Sequence, residues 1–292
     1  AIANYDPAAA QKRYEEALEK HKLALAEWNA KPKAERKGRG PRKPRQPQNP
    51  GNIAGKPATI YNGMIHPLVG YSIRGAIWYQ GESNAGNEAR ATDYGPLFAL
   101  KIEDWRKLWG DDFTYLWVQL ANFRQPVKEP GTNAPWAVVQ EQQRRTLSLP
   151  KTGMAVINDI GEAKDIHPRN KLDVGERLAR WALADDYGVK IIKSGPLYAS
   201  HEIAGGKVTV SFDHVGKGLK SRDGKALNRF EIQDKDGKWL WADAKIVKNS
   251  VVISHPEVKK PAAARYAWAE NPEGANLVNS EGLPASLFTT EW

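Results

Sequence analysis

The sequence contains no cysteine, which excludes disulfides and thiolate metal sites from its 292 residues. That absence does not choose a compartment, because exported proteins without cysteine are ordinary. No apolar run approaches the ~18–20 residues that a membrane-spanning helix needs. No internal repeat is visible. Of the six histidines, His21, His201, His214 and His255 have no metal-ligand spacing to one another. Neither a metal nor a cofactor is therefore expected. Acidic residues are nearly missing from one stretch. Between Lys31 and Pro47 there are eight basic residues and one acid, Glu35, a net +7 of the chain's +9. Aromatic residues are missing there too, so the segment lacks the stacking platforms of a nucleic-acid site. It reads as a solvated tether, and no nucleic-acid or membrane partner is expected.

The rest of the composition is that of a globular chain, 41% hydrophobic and 26% charged. Its length suits one large or two ordinary domains. The chain opens at Ala1 with no signal peptide behind it. A removed leader and a start within a longer protein both fit that opening.

Three regions are expected. In residues 1–58, Tyr14, Leu18, His21, Leu25 and Trp28 form one apolar seam of a helix over residues 8–30. Pro32 ends that helix, and a basic linker rich in proline and glycine follows. Residues 59–189 alternate strands with helices. Residues 59–75 read as a helix or turn packing into a core, with His66 as a hydrogen-bonded core histidine. Strands are expected at 75–80, 113–120 and 153–158. Helices are expected at 93–109 (Leu97, Leu100, Trp105 and Leu108 inward), 134–147 and 171–187. That alternation predicts a three-layer α/β domain with a parallel sheet. Residues 190–292 carry short alternating strands, separated by turns such as Gly205-Gly206 and Asp236-Gly237, and predict a small β-sandwich-like domain. Most of the eleven tryptophans fall on faces that need filling, so core packing is their default.

In an open α/β sheet, functional groups gather beyond the carboxyl ends of the strands. Three such loops are unusually polar here: Gln80-Gly81-Glu82-Ser83-Asn84, Ala121-Asn122-Phe123, and Asp159 to Pro168. Acyl transfer needs a nucleophile, a base, a group orienting the base, and oxyanion donors. His167 is the best base in the chain, and Asp165 stands two residues before it to accept from the imidazole. Gln80 can offer an amide N–H to an oxyanion. Gly81 permits close approach of substrate to the backbone. Glu82 reads either as a substrate contact or as a brace for its loop, with bracing favoured. Asn122 either faces the cleft or closes a turn. Ser83 superficially resembles a nucleophile, but a structural hydroxyl is the better reading.

The blocks Trp78-Tyr79-Gln80-Gly81-Glu82-Ser83-Asn84 and Asp165-Ile166-His167-Pro168 resemble the sialate O-acetylesterases, a branch of the SGNH (GDSL-like) hydrolases. Residues 61–68, 118–123 and 282–286 resemble that family as well. The resemblance implies a flavodoxin-like α/β/α hydrolase that removes O-acetyl groups from sialic acids without a metal. It implies Gln80 as oxyanion donor, His167 as base and Asp165 as its orienter. Around them Gly81, Glu82, Asn84 and Asn122 are the candidate substrate-binding residues on the loops. It also implies a periplasmic or secreted location.

Two departures stand out. The family's nucleophilic serine lies in a Gly-Gln-Ser-Asn block that this sequence lacks. Its place is upstream of Ala1, so the chain is expected to be the C-terminal part of a longer protein, with the N-terminal part as its partner. Many SGNH enzymes place the acid three residues before the histidine, where this chain has Lys164, and Glu162 is a weaker alternative orienter. An acetylxylan or other polysaccharide acetylesterase is the close rival, and a non-catalytic carbohydrate-binding fragment the second.

Overall fold

The computed structural model describes residues 5–32, 35–36, 40–49 and 58–292. Lys33, Lys37, Arg39, Pro50 and Pro57 of the expected linker lie outside those residues. The chain forms two compact units, residues 1–71 and 72–292. The division thus follows Tyr71 rather than residue 58, and none falls at residue 190.

In the first unit, helix α1 spans Pro7–Ala30. Asp6 caps it, its Oδ1 accepting the N–H groups of Ala8 and Ala9. Pro7 occupies the first turn, where no intrahelical donor is lost. The seam through Tyr14, Leu18, His21 and Trp28 is half-buried, and no residue of α1 is fully buried. A π-helical turn, Tyr61–Ile65, and a 3-10 turn, His66–Leu68, follow. The expectation that this segment packs into a core is corrected here. Ile60, Met64 and Leu68 are 61, 66 and 53% exposed. His66 is exposed as well, its ring meeting Tyr61 edge-on at 5.9 Å. Two turns this short carry apolar residues but present no continuous stripe to bury.

The second unit begins with a parallel sheet of strands β1 (Gly75–Trp78), β2 (Thr114–Val118) and β3 (Thr152–Ala155), in the spatial order β1-β2-β3. Gly75 pairs with Thr114 and Tyr115 with Thr152. Helices α2 (Glu88–Thr92) and α3 (Tyr94–Trp109) connect the first two strands, and α4 (Pro135–Arg145) the second pair. Helix α5 (Lys171–Asp185) follows β3. One sheet face is aromatic: Tyr115 and Trp117 meet Phe98 of α3, and Trp78 meets Trp105. On the other face Trp181 of α5 lies against Gly153, where a Cβ would fall 2.5 Å from the indole.

The buried face of α3 is the expected one only in part: Trp105 packs against the aromatic rings of the sheet as expected. Tyr94, Phe98 and Ile102 are buried, whereas Leu97 and Leu100 are 58 and 61% exposed. The aromatic rings of β1 and β2 select the 94–98–102 stripe, and Leu97 and Leu100 lie one and two positions off it. Strand β1 pairs only with β2 among the described residues, and Ile77 on it is 72% exposed.

Lys101 of α3 is packed into that aromatic face. Its Nζ lies 2.5 Å from the Tyr115 hydroxyl and 3.1 Å from the centre of the Trp78 ring. Burial lowers its pKa to about 6. The ring faces favour the ammonium by ~0.5–2 kcal/mol and so offset part of that shift. Between that value and the ordinary lysine range, the folded amine is neutral while the unfolded one is protonated. The unfolded chain then binds more protons, so stability rises with pH across this window. Lys101→Met is expected to raise stability at neutral pH by on the order of 2 kcal/mol and to flatten that slope. Urea melts at pH values spanning the window check both, and an unchanged slope would count against the buried neutral amine.

The β-rich part holds two four-stranded antiparallel sheets. One comprises β4 (Leu197–Ala204), β5 (Lys207–Asp213), β10 (Ser250–Ser254) and β9 (Asp243–Val247). The other comprises β13 (Phe288–Thr289), β11 (Ala263–Tyr266), β7 (Phe230–Gln233) and β8 (Trp239–Trp241). Strands β6 (Leu219–Ser221) and β12 (Leu277–Asn279) form a small ribbon. Val208, Val210 and Phe212 of β5 face inward, as the alternation requires. They share one core with Phe230, Ile232 and Tyr266, and that core continues into Trp117 and Trp181 of the α/β part. Buried hydrogen bonds cross the junction, from Gln119 Nε2 to Ser286 Oγ and from Asn158 Nδ2 to the Ala285 carbonyl. This shared core is why no compact boundary forms at residue 190.

Candidate active site

The loops beyond β1, β2 and β3 converge at one end of the parallel sheet. A small cluster of Val118, Ala121, Ile157 and Val174 packs against Tyr79 and Ile160, joining all three loops. Lys171, four residues after His167, lies over the Tyr79 ring at 4.8 Å. The Gln80 and His167 blocks therefore flank the same small cluster.

After β1 the chain turns sharply. Gly81 has a φ of 150° and is buried. A Cβ there would stand 3.2–3.4 Å from Val139, Leu120 and Gln143. Both the backbone conformation and the packing demand glycine. The Gln80 carbonyl is fixed by the Tyr94 hydroxyl at 3.0 Å and by Gln143 Nε2 at 3.2 Å. Its side-chain Nε2 donates to Asn84 Oδ1 at 2.9 Å. A carboxamide nitrogen carries two hydrogens, so one N–H of Gln80 stays available, as does the Asn84 amide nitrogen among the described residues. Glu82 accepts the Gly81 N–H at 2.9 Å, which braces the turn. Burial, assisted by the Glu82 charge, pushes the Tyr79 hydroxyl up to about 12. The Tyr94 hydroxyl rises to about 12, also chiefly through burial. Both are neutral donors at any ordinary pH. Ser83 is exposed on the short turn Glu82–Gly86, with no hydrogen bond to His167.

After β2, the Asn122 amide bonds to protein at both ends. Its Oδ1 accepts the Gly161 N–H at 2.7 Å, and its Nδ2 donates to Asn271 Oδ1 at 3.1 Å. After β3, Asp159 is clamped by Arg177 at 2.6 Å and Arg222 at 3.1 Å. Glu162 accepts both the backbone N–H and the Nε of Arg169, at 3.0 Å each. Those two bonds hold its carboxyl below the usual range.

His167 is exposed, and its imidazole makes no hydrogen bond among the described residues. Asp165 Oδ1 instead accepts the backbone N–H of His167 at 2.9 Å. A separation of two residues favours this local Asx turn, because the carboxylate reaches the main chain before it reaches the ring. The structure thus gathers the amide pair, the carboxylate and the imidazole at one end of the sheet without a formed relay between Asp165 and His167. The larger clefts lie elsewhere. One of about 520 Å³, lined by Arg74, Asp111, Thr114, Thr152 and Asp185, opens at the amino ends of the strands.

Several residues that shape this end had no motif to announce them. Tyr94, Gln143, Arg177, Arg222 and Asn271 all act through side chains placed by distant elements. One signal was present: Gln140, Glu141 and Gln143 sit on the buried face of α4, where a polar run asks for partners.

Residues 53–184 match the family described as carbohydrate esterase, sialic acid-specific acetylesterase. The chain is 28% identical over 261 residues to sialate O-acetylesterase of Mus musculus, covering 80% of this chain and 47% of that protein. It is 28% identical over 240 residues to the Homo sapiens sialate O-acetylesterase, covering 74% and 45%. The chain spans about half the length of these curated relatives. Among solved structures, a carbohydrate acetylesterase from Xanthomonas citri matches with a TM-score of 0.78 and 43% identity, over 83% of this chain and 56% of that one.

Proposed function

Because residues 53–184 match the family described as carbohydrate esterase, sialic acid-specific acetylesterase, we propose that this chain forms part of a serine esterase that removes O-acetyl groups from sialic acids. The observation that carries the reading is that the loops after the three parallel strands meet at one small cluster through Tyr79, Ala121 and Ile160, with Lys171 over the Tyr79 ring, so that the Gln80 and His167 blocks lie at the same end of the sheet. His167 takes the proton from a serine hydroxyl as that hydroxyl attacks the acetyl carbonyl. Asp165 stabilises the imidazolium that forms, after turning from the backbone N–H to the ring. The free N–H of Gln80 meets the developing oxyanion, with Asn84 beside it. Gly81 and Glu82 hold that turn in place.

The attacking serine belongs to another segment, the N-terminal part of the same protein. Three observations support this. The sequence lacks the Gly-Gln-Ser-Asn block. Ser83 has no base partner in the structure. Strand β1, which leads straight into Gln80, has an unpaired edge among the described residues. A parallel strand added there would deliver its following loop beside Gln80. On this reading residues 59–189 are the later part of an SGNH-type, flavodoxin-like hydrolase domain, and residues 190–292 a β-sandwich-like domain. Export to the periplasm or beyond the cell rests on the family alone.

Acetate release measured with the complete protein on O-acetylated sialic acid tests the proposal. Release from that substrate, together with no labelling of Ser83 by a serine-reactive fluorophosphonate, is the expected result. The Xanthomonas citri relative is named only as a carbohydrate acetylesterase, so acetylated xylan belongs in the same assay. Activity on xylan alone would move the substrate to neutral polysaccharide, and labelling of Ser83 would overturn the separate nucleophile.

A further inference from the structure

The β-rich part reaches into the candidate site through one buried side chain. Asn271 is 3% exposed and sits in the loop between β11 and β12. Its Nδ2 donates to the Arg124 carbonyl at 2.7 Å, and its Oδ1 accepts from Asn122 Nδ2 at 3.1 Å. The neighbouring Glu270 carbonyl accepts the Phe123 N–H at 2.8 Å, and its carboxylate holds Arg124 at 2.8 Å. Arg124 has a φ of 73°, a left-handed conformation that residues other than glycine adopt uncommonly. These contacts fix the loop after β2 from outside the parallel sheet.

The loop after β2 in turn fixes the loop after β3. Asn122 Oδ1 holds the Gly161 N–H at 2.7 Å. The two chains are so close that a Cβ on Gly161 would lie only 2.0 Å from the Asn122 carbonyl oxygen. Phe123 pairs with Glu162 as a parallel bridge, and Glu162 pairs with Asp165 as an antiparallel one. Asp165 closes the turn that carries His167. The contacts therefore run without a break from Asn271 through Asn122, Gly161, Glu162 and Asp165 to His167.

We infer that Asn271 is a positioning residue for the His167 loop, so that the β-rich part sets the placement of the base. The inference rests on the esterase reading of the site. A plain structural role would lower stability and leave turnover per folded molecule unchanged. A positioning role moves kcat, because a shift of about 1 Å at a catalytic group costs up to about 10²-fold.

Two variants of the complete protein separate these roles, assayed well below their melting temperatures. Asn271→Ala removes both bonds. Asn271→Asp keeps the acceptor for Asn122 but sets a buried carboxylate oxygen against the Arg124 carbonyl. Asn271→Ala is expected to lower kcat about 10- to 100-fold with KM within about twofold, and Asn271→Asp to recover only part of that loss. Amide exchange at Gly161 is expected to accelerate in the alanine variant. An unchanged kcat in folded Asn271→Ala would overturn the inference, as would unaltered Gly161 exchange. An unsubstituted protein with no acetate release from any O-acetylated sugar would instead overturn the esterase reading, which the Gly161 exchange does not depend on.

Discussion

His167→Ala, made in the complete protein, is expected to lower kcat for acetate release by about 10³-fold or more while KM changes little. The reason lies in the site's inventory. His167 is the sole imidazole on the three loops beyond the carboxyl ends of the parallel strands. Two of the carboxylates there are committed, Asp159 to Arg177 and Arg222 and Glu162 to Arg169. On the proposed reading, that leaves His167 as the group suited to take the serine proton. A variant retaining a tenth of the activity would sink the assignment of the base. Asp165 offers a finer test. Asp165→Asn keeps a side-chain oxygen for the His167 N–H and loses the charge. If the carboxylate supports the imidazolium, kcat falls; if it only closes the turn, kcat holds.

The second large effect is on stability. Glu231 and Arg265 form an ion pair that is 1 and 5% exposed. Glu231 Oε2 accepts from Arg265 at 2.8 and 3.0 Å and from the Gly131 N–H at 2.8 Å. Burial raises the Glu231 pKa and lowers that of Arg265, so desolvation outweighs pairing for both partners. Such a pair adds little net stability, yet breaking it from one side is costly. Glu231→Ala leaves a buried guanidinium without its counter-charge and is expected to cost about 3–5 kcal/mol in urea unfolding. Replacing both residues by leucine is expected to cost much less than the sum of the single changes. Arg265 also lies over the Trp239 ring at 4.0 Å, so the double variant loses that contact as well. A single-variant cost below about 1 kcal/mol would contradict the account of a desolvated pair.

The parallel strands were legible as short apolar runs because β2 and β3 are buried at every residue, and β5 as an alternation because every second residue is buried. Strand β4 escaped that reading: six of its eight residues are exposed, so no alternation marks it. Leu97 and Leu100 were misassigned to the buried face of α3 because leucine spacing alone does not say which ring it will meet. At the site, the motifs placed Gln80 and His167 on loops at one end of a sheet. They could not show that Asn122 is bonded at both ends, since its partners Gly161 and Asn271 lie 39 and 149 residues away. Nor could spacing show that Asp165 closes a turn on the main chain rather than meeting the ring.

The bare edge of β1 also bears on how this chain behaves in a tube. A strand that pairs on one side only among the described residues, and that carries an Ile77 72% exposed, is a template for any strand that reaches it. On the proposed reading, a strand of the N-terminal part covers that edge, and the chain produced without it is expected to associate through β1 as concentration rises, which light scattering would follow.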